Sequence, residues 1–239
     1  MKKIARLLVL TSTLSLALSN AACASNHGNT HAKGGLPTTP EQQAKLTPDA
    51  VLADLKAGNA KFVAGDYNMP DLTKSIKAAN AGQFPKAYVL SCVDSRVPVE
   101  LVFNQGIGDI FVGRVAGNAE NEDQLGSMEF ASAVAGVKLI VVLGHEACGA
   151  VKGACDGVEL GNLTMLLEKL APAVRAVDGF EDRSSKNAAF VDKVVHTNVK
   201  RTVEDIRARS AVLFGLEKEG KIKIVGAYYS LKDGSVSFL

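Results

Sequence analysis

Apolar positions fall along this chain in two rhythms, and the alternation between them outlines a fold. At 87–91 and again at 138–143 the residues are apolar almost throughout. Such short runs, bounded by polar residues or glycine, predict strands buried on both faces. A third run, 109–113, predicts a strand beside them. Elsewhere the apolar residues recur at helical spacing. Thr47 is a candidate N-cap and Pro48 a first helical residue, followed by Val51, Leu52, Leu55, Phe62 and Val63, with Gly65 as the stop. A short helix over 72–81 stops at Gly82, and another follows Pro98 to about 104. The stretch 121–134 carries Leu125, Met128, Phe130, Ala131 and Val134 on its apolar side. Beyond it, 149–154, 163–170 and 172–177 read as helices, and 180–185 as a polar loop. In 188–214 the spacing of Val191, Val194, Val195, Val199, Val203, Ile206 and Val212 predicts one long helix or two. The tail, 222–229 and 235–239 across Lys232-Asp233-Gly234, alternates about a D-G turn and predicts a β-hairpin. Strands alternating with helices give an α/β class: a mostly parallel central sheet flanked by helices, with right-handed crossovers, a C-terminal hairpin and an N-terminal helical arm.

The first 46 residues follow neither rhythm. Three basic residues within Met1 to Arg6 precede twelve residues, Leu7 to Leu18, that are apolar apart from four small hydroxyl side chains, and Ala22-Cys23-Ala24 fits a cleavage site. This is the pattern of a secretory signal peptide over 1–24. The apolar run is well short of the ~20 residues that span a bilayer, so no stable membrane insertion of the mature chain is expected. Cleavage before Cys23 with lipid on its thiol is the less favoured alternative, because Asn20 stands where such signals carry leucine. Residues 25–46, rich in Asn, Gly, Thr, Ala and Gln with Pro37 and Pro40, predict a flexible linker. The remaining 47–239 is read as one catalytic domain.

Charge and cysteine content narrow the classes. A near-balanced +2 over 239 residues gives no support to nucleic-acid binding. Losing Lys2, Lys3 and Arg6 with the signal, and no acid, takes the mature chain to −1. Export, into the periplasm, would place the cysteines in an oxidising space, where a bound metal keeps ligand thiols reduced. Cys155 reads as a small buried apolar side chain. His27 and His31 lie four apart in a polar tail, and solvation is the better reading for them. His196 reads as a solvated residue on its helix.

In open α/β sheets ligands collect beyond the carboxyl ends of the strands. Here one predicted strand ends in Cys92, Asp94 and Arg96, and another in His145 with Cys148 three residues on. Two thiolates and an imidazole match a zinc site that keeps its fourth position for water, as in Cys₂His catalytic centres. Asp94 and Arg96, an acid and a base beside a ligand, suggest chemistry at the metal, with Arg96 holding the carboxylate in a charge-assisted pair.

These residues carry a family resemblance. Cys92, Asp94 and Arg96 in CVDSR, followed by His145 and Cys148 in GHEACGAV, resemble the zinc-binding motifs of the β-class carbonic anhydrases. GDIFVGRVAGN at 108–118 is similar to that family's linking segment and LKAGNAKFV at 55–63 to its N-terminal helix, so that the likeness spans about 47–239. The resemblance implies a zinc cofactor and reversible hydration of carbon dioxide to bicarbonate and a proton through zinc-bound hydroxide. It also implies that Asp94 becomes a fourth zinc ligand in a closed resting form, at lower pH, when its pairing with Arg96 breaks. Gln83, Phe111 and Ala116 match substrate-pocket positions, Ala116 standing where relatives often carry valine. The N-terminal helices imply a homodimer or a higher multiple. The chain has no tryptophan, so the bicarbonate-regulated pocket of some relatives is not expected. Hydrolysis of carbon disulfide or carbonyl sulfide at the same site, or a non-catalytic zinc or redox-thiol protein, are the alternatives.

Overall fold

The structure is a computed structural model that describes residues 36–66 and 70–239. A five-stranded sheet forms its centre, in the order β2-β1-β3-β4-β5. Strands β1 (Ala87–Ser91), β2 (Ile110–Arg114), β3 (Leu139–His145) and β4 (Lys223–Tyr229) run parallel, and β5 (Val236–Phe238) pairs antiparallel with β4 as the hairpin arm. From β1 the chain crosses to one side to make β2 and then to the other to make β3. The sheet's topological switch point therefore lies between the carboxyl ends of β1 and β3, where open α/β sheets form a crevice.

The uninterrupted apolar runs of β1 and β3 follow from their position, since every residue in both strands is buried. Side chains alternate between two cores. Tyr88, Leu90, Ile140 and Val142 pack with Leu125 and Met128 of α5 (Glu122–Glu129), Val199, Val203 and Ile206 of α9 (Ala188–Arg209) and Leu213 of α10 (Ala211–Lys218). On the opposite face Val89, Leu139, Val141 and Leu143 meet Val51 and Leu55 of α2 (Pro48–Val63) together with Val99 and Val102 of α4 (Val99–Val102). A third cluster roofs the carboxyl edge of the sheet. In it Cys92 and Cys148 are packed among Val151 of α6 (Gly149–Cys155), Leu167 of α7 (Gly161–Glu168), Ala173 of α8 (Ala171–Arg175) and Phe190 and Val194 of α9. Two glycines set how closely α9 lies on the sheet. A Cβ at Gly144 would stand 2.5 Å from Val199 Cγ2, and one at Gly226 would stand 2.7 Å from its Cγ1.

Helix α2 begins at the Thr47 cap and Pro48 as the sequence implies. Helix α3 (Leu72–Ala79) ends shortly before Gly82. Two readings change, and one left open is settled. The proposed signal peptide, 1–24, lies outside the described residues, but the described part of the proposed linker, from Leu36 on, is packed against the domain. There α1 (Pro40–Ala44) is closed by a capping box between Thr39 and Gln42. Thr38 donates from its Oγ1 to Asp109 Oδ1 at 3.1 Å, and the buried Gln43 donates to Pro85 O and Ala135 O, each at 2.7 Å. These anchors are polar, which is why no apolar periodicity announced them. The expected helix over 121–134 divides into α5 and a π-helical turn, Phe130–Val134. In that turn Phe130 is 50% and Val134 74% exposed, so neither is a core residue. Helices α9 and α10 are two rather than one because Ser210 leaves helical geometry and caps α10, accepting from Leu213 N while its hydroxyl donates to Glu129. Among the described residues no helix is long and apolar enough to cross a membrane.

Gly58 sits where α2 crosses the end of α4, and a Cβ there would fall 1.9 Å from Phe103 O. An open helical glycine gains about 1 kcal/mol on conversion to alanine. For Gly58→Ala the sign should invert, with a loss of about 1–3 kcal/mol from overpacking in urea denaturation. A neutral or stabilising result would contradict this packing.

Candidate metal centre

The ends of β1 and β3 bring the three proposed donors together. Ser91 is paired with Leu143, so Cys92 leaves β1 level with Gly144, one residue before His145. The chain then reverses at Ala147, whose φ of 54° is unusual for a residue with a Cβ, and this returns Cys148 to the start of α6. The ligand atoms of Cys92, His145 and Cys148 all lie within 4.8 Å of one another, and the two Sγ atoms are 4.0 Å apart. All three side chains are buried, His145 completely.

The imidazole is oriented by its backbone. His145 Nδ1 lies 2.9 Å from Glu146 O, which makes Nδ1 the protonated nitrogen and leaves the Nε2 lone pair free. Nε2 is buried and has no hydrogen-bond partner among the described residues. A buried polar atom left in this way calls for an explanation, and a cation among the donors supplies one. The spacing also fits: a tetrahedral zinc with Zn–S of about 2.3 Å holds two sulfurs about 3.8 Å apart. The thiols differ in acidity. A hydrogen bond from Cys148, assisted by the Gly117 and Asp94 backbones, draws Cys92 down to about 4. The neighbouring Cys92 and burial push Cys148 upward. Two thiolates side by side in this apolar setting need a positive charge between them.

Asp94 borders the cluster, with Oδ2 3.8 Å from His145 Nε2. Arg96 grips it in a fork, Nε donating to Oδ1 at 3.0 Å and Nη2 to Oδ2 at 2.7 Å, while the Arg96 backbone N–H also donates to Oδ1. The Arg96 side chain, with its backbone and the nearby His145, holds the Asp94 carboxyl at about 2 against an ordinary 3.8.

Some supporting residues carry no motif that would have flagged them. Arg114, at the end of β2, donates from Nε to Cys92 O at 2.8 Å and from Nη2 to Asp94 O, tying the two strand exits together. Gly117 donates its N–H to Cys92 Sγ at 3.3 Å. Ala116, one of the three proposed pocket residues, adjoins Gly117 in a tight turn, Ala116–Asn118. The other two are elsewhere. Gln83 is exposed ahead of β1, whereas Cys92 follows its far end, so that roughly 16 Å of strand separates them at about 3.3 Å per residue. Phe111 is paired with Tyr88 near the start of β2 and lies beside Phe130, with ring centroids 6.3 Å apart. One copy of the chain therefore does not bring Gln83 or Phe111 to the cluster. His196 stacks on Tyr228, with centroids 4.2 Å apart, and its Nδ1 lies 3.0 Å from Asp192 O, so it is packed rather than merely solvated. Cys155 is free and half-buried, its thiol raised to about 11 by burial and then by Asp156. His27 and His31 lie outside the described residues.

A mostly parallel α/β sheet whose switch point carries a buried Cys₂His donor set, with a carboxylate–guanidinium pair at its edge, defines a class of protein with the means to hold a metal ion at the carboxyl edge of the sheet. Comparison narrows the class. The carbonic anhydrase family profile matches residues 87–236. Carbonic anhydrase 2 of Mycobacterium tuberculosis is 40% identical over 193 residues, covering 78% of this chain and 90% of the relative. In fold, the chain is similar to the β-carbonic anhydrase CafA of Aspergillus fumigatus, with a TM-score of 0.61 at 24% identity over 80% of this chain and 89% of the other. It is equally similar, with a TM-score of 0.61 at 23% identity, to one of two tetrameric β-carbonic anhydrases of Sordaria macrospora, over 80% and 97% of the two chains. The chain belongs to the carbonic anhydrase family, whose general reaction is hydration of carbon dioxide, and its fold is that of the β class.

The Asp94 shift sets a pH window. A carboxyl lowered on folding contributes stability that is complete above its unfolded value of 3.8 and is lost as pH falls through about 2. Carboxyl-carbon NMR titration should place the Asp94 midpoint below 3 by roughly the one-unit scatter of such values, and Arg96→Ala should move it up toward 3.8. A midpoint near 4 in the unaltered protein would refute the fork.

Proposed function

We propose that Cys92, His145 and Cys148 hold one zinc ion and that the chain carries out reversible hydration of carbon dioxide at it. The observation that carries this reading is the unpartnered, buried Nε2 of His145 facing two thiols, with an Asp94 oxygen 3.8 Å away. When bound, zinc supplies a Lewis acid that makes water nucleophilic near neutral pH. The protein's own part is to place and orient. Asp94, kept ionised by Arg96, accepts a hydrogen bond from the attacking water and fixes which lone pair faces the carbon of the substrate. Arg96 keeps the carboxylate turned from the donors, and the Arg114 bonds to Cys92 O and Asp94 O keep ligand and acid in register. Because Asp94 stays charged through the physiological range, its own protonation would not be what moves it to a fourth ligand position at lower pH.

Gln83 and Phe111 can join such a site if a second copy supplies them, and a groove of mixed character supports a homodimer. Tyr88, Phe111, Val112 and Phe130 line an open groove of about 650 Å³ at the β2 edge, rimmed by Glu122 and Asp123, with Val134 exposed on the same π-helical turn as Phe130. An edge strand with unpaired backbone invites such pairing. The tetrameric relatives of Sordaria macrospora are compatible with a multiple of this unit. Residues 1–24 are read as a signal that exports the chain to the periplasm, which fractionation of expressing cells would test.

Metal analysis and stopped-flow carbon dioxide hydration on the mature chain should give one zinc per chain and activity that is lost with chelation. Cys148→Ser should lose both. Arg96→Lys should retain zinc and lose activity on the order of 10–100-fold, the usual cost of disturbing a metal site's outer partners. Unaltered protein that binds zinc without hydrating carbon dioxide would end the proposal. Separately, Phe130→Glu should convert the dimer to monomers in sedimentation velocity; an unchanged sedimentation coefficient would move the interface elsewhere.

A further inference from the structure

Asn198 lies on the buried side of α9, flanked by Val194, Val195 and Val199, and is only 4% exposed. An amide on such a face costs free energy to desolvate unless it is hydrogen-bonded. Its Nδ2 donates to Gly117 O at 2.9 Å, and Gly117 N–H in turn donates to Cys92 Sγ. The same glycine is thus held at its carbonyl by α9 and aims its amide at a ligand sulfur. Its backbone is left-handed, with φ 71° and ψ 17°, and a Cβ would stand 2.6 Å from Leu170 Cδ1. Leu170 closes one side of the turn and Asn198 pins the other, so the direction of the N–H depends on both.

We infer that Asn198 is a positioning residue for the metal centre: through Gly117 it fixes the hydrogen bond to the Cys92 sulfur and so sets how much charge that sulfur gives the metal. This rests on the proposal that the cluster holds a metal. Nothing in the sequence marks Asn198, since it breaks an apolar face instead of extending a motif. A purely structural role, satisfying one buried carbonyl, would lower stability and leave the sulfur untouched. The two roles can be told apart.

The test uses the full mature chain loaded with cobalt in place of zinc, so that thiolate-to-metal charge transfer can be read in the near ultraviolet. Asn198→Leu keeps the branched shape and removes the donor; Asn198→Ala is the second variant should leucine prevent folding. Val203→Ala, on the same helix but in the core over the other end of the sheet, controls for stability alone. With the Gly117 carbonyl released, its N–H turns from the sulfur and the sulfur lone pair rises in energy, so the charge-transfer band should move to longer wavelength in the Asn198 variants. Zinc loss to a chelator should quicken on the order of tenfold or more. Val203→Ala should change neither. A band and a release rate equal to the unaltered protein's in the Asn198 variants, or equal shifts in Val203→Ala, would overturn the inference. Failure of the unaltered protein to bind either metal would instead overturn the proposed function.

Discussion

The constraint on which this structure depends is the desolvation of three donor atoms at one point. Water is excluded from Cys92, His145 and Cys148, and the imidazole Nε2 has no hydrogen-bond partner among the described residues. An arrangement of that kind is costly unless a cation repays it, because two thiolates in apolar surroundings repel each other and cannot be solvated. The two sulfurs, 4.0 Å apart, share one hydrogen bond, so that the Cys92 thiol is lowered while Cys148 is raised. Folding therefore assembles the site in advance, and the rest of the molecule can be understood as what holds it closed.

The sheet supplies that closure. Strands β1 and β3 are buried on both faces and in direct register, which fixes Cys92 and His145 within one residue of the same level with little freedom. Helix α9 is seated by Val199 between Gly144 and Gly226. The same seating brings Asn198 to the Gly117 carbonyl, so the packing of a helix on a sheet and the outer hydrogen bonding of a ligand sulfur come from one contact surface. Arg114 performs the corresponding service from β2.

The parts of this design that were legible in the sequence share a cause. Continuous apolar runs at β1 and β3, ending in cysteine and histidine, report burial and chemistry together, so both strands and the three donors could be read from spacing. Polar anchoring leaves no such trace. The arm before Thr47 docks through Thr38 and Gln43, whose partners are backbone and carboxylate groups over 40 residues away in sequence. The break at Ser210 is equally hidden, because apolar residues continue at helical spacing on both sides of it and the serine acts through its hydroxyl. Phe130 and Val134 match the helical pattern but stand in solvent, since periodicity records which face is apolar and not whether this chain or another covers it. For Gln83, distance along the chain was a poor guide to distance in space: nine residues across a buried strand put it at the opposite end of the sheet.

Asp94 shows why a reactive group can sit beside such a closed cluster without joining it. Its Oδ2 is 2.7 Å from Arg96 Nη2 and 3.8 Å from His145 Nε2, so the carboxylate stands between a guanidinium and the donor set. Arg96 is largely exposed and its charge is fixed, whereas the donors become attractive to an anion only through the positive charge they carry. The balance therefore turns on the net charge within the cluster. Two thiolates cancel most of a divalent charge, leaving the guanidinium the stronger partner, while three neutral ligands in their place would leave the full charge to draw the carboxylate in. On this argument the thiolate-rich donor set and the arginine two residues from the acid would be parts of one solution: with a metal bound, the first would weaken its hold on Asp94 enough for the second to keep the carboxylate available.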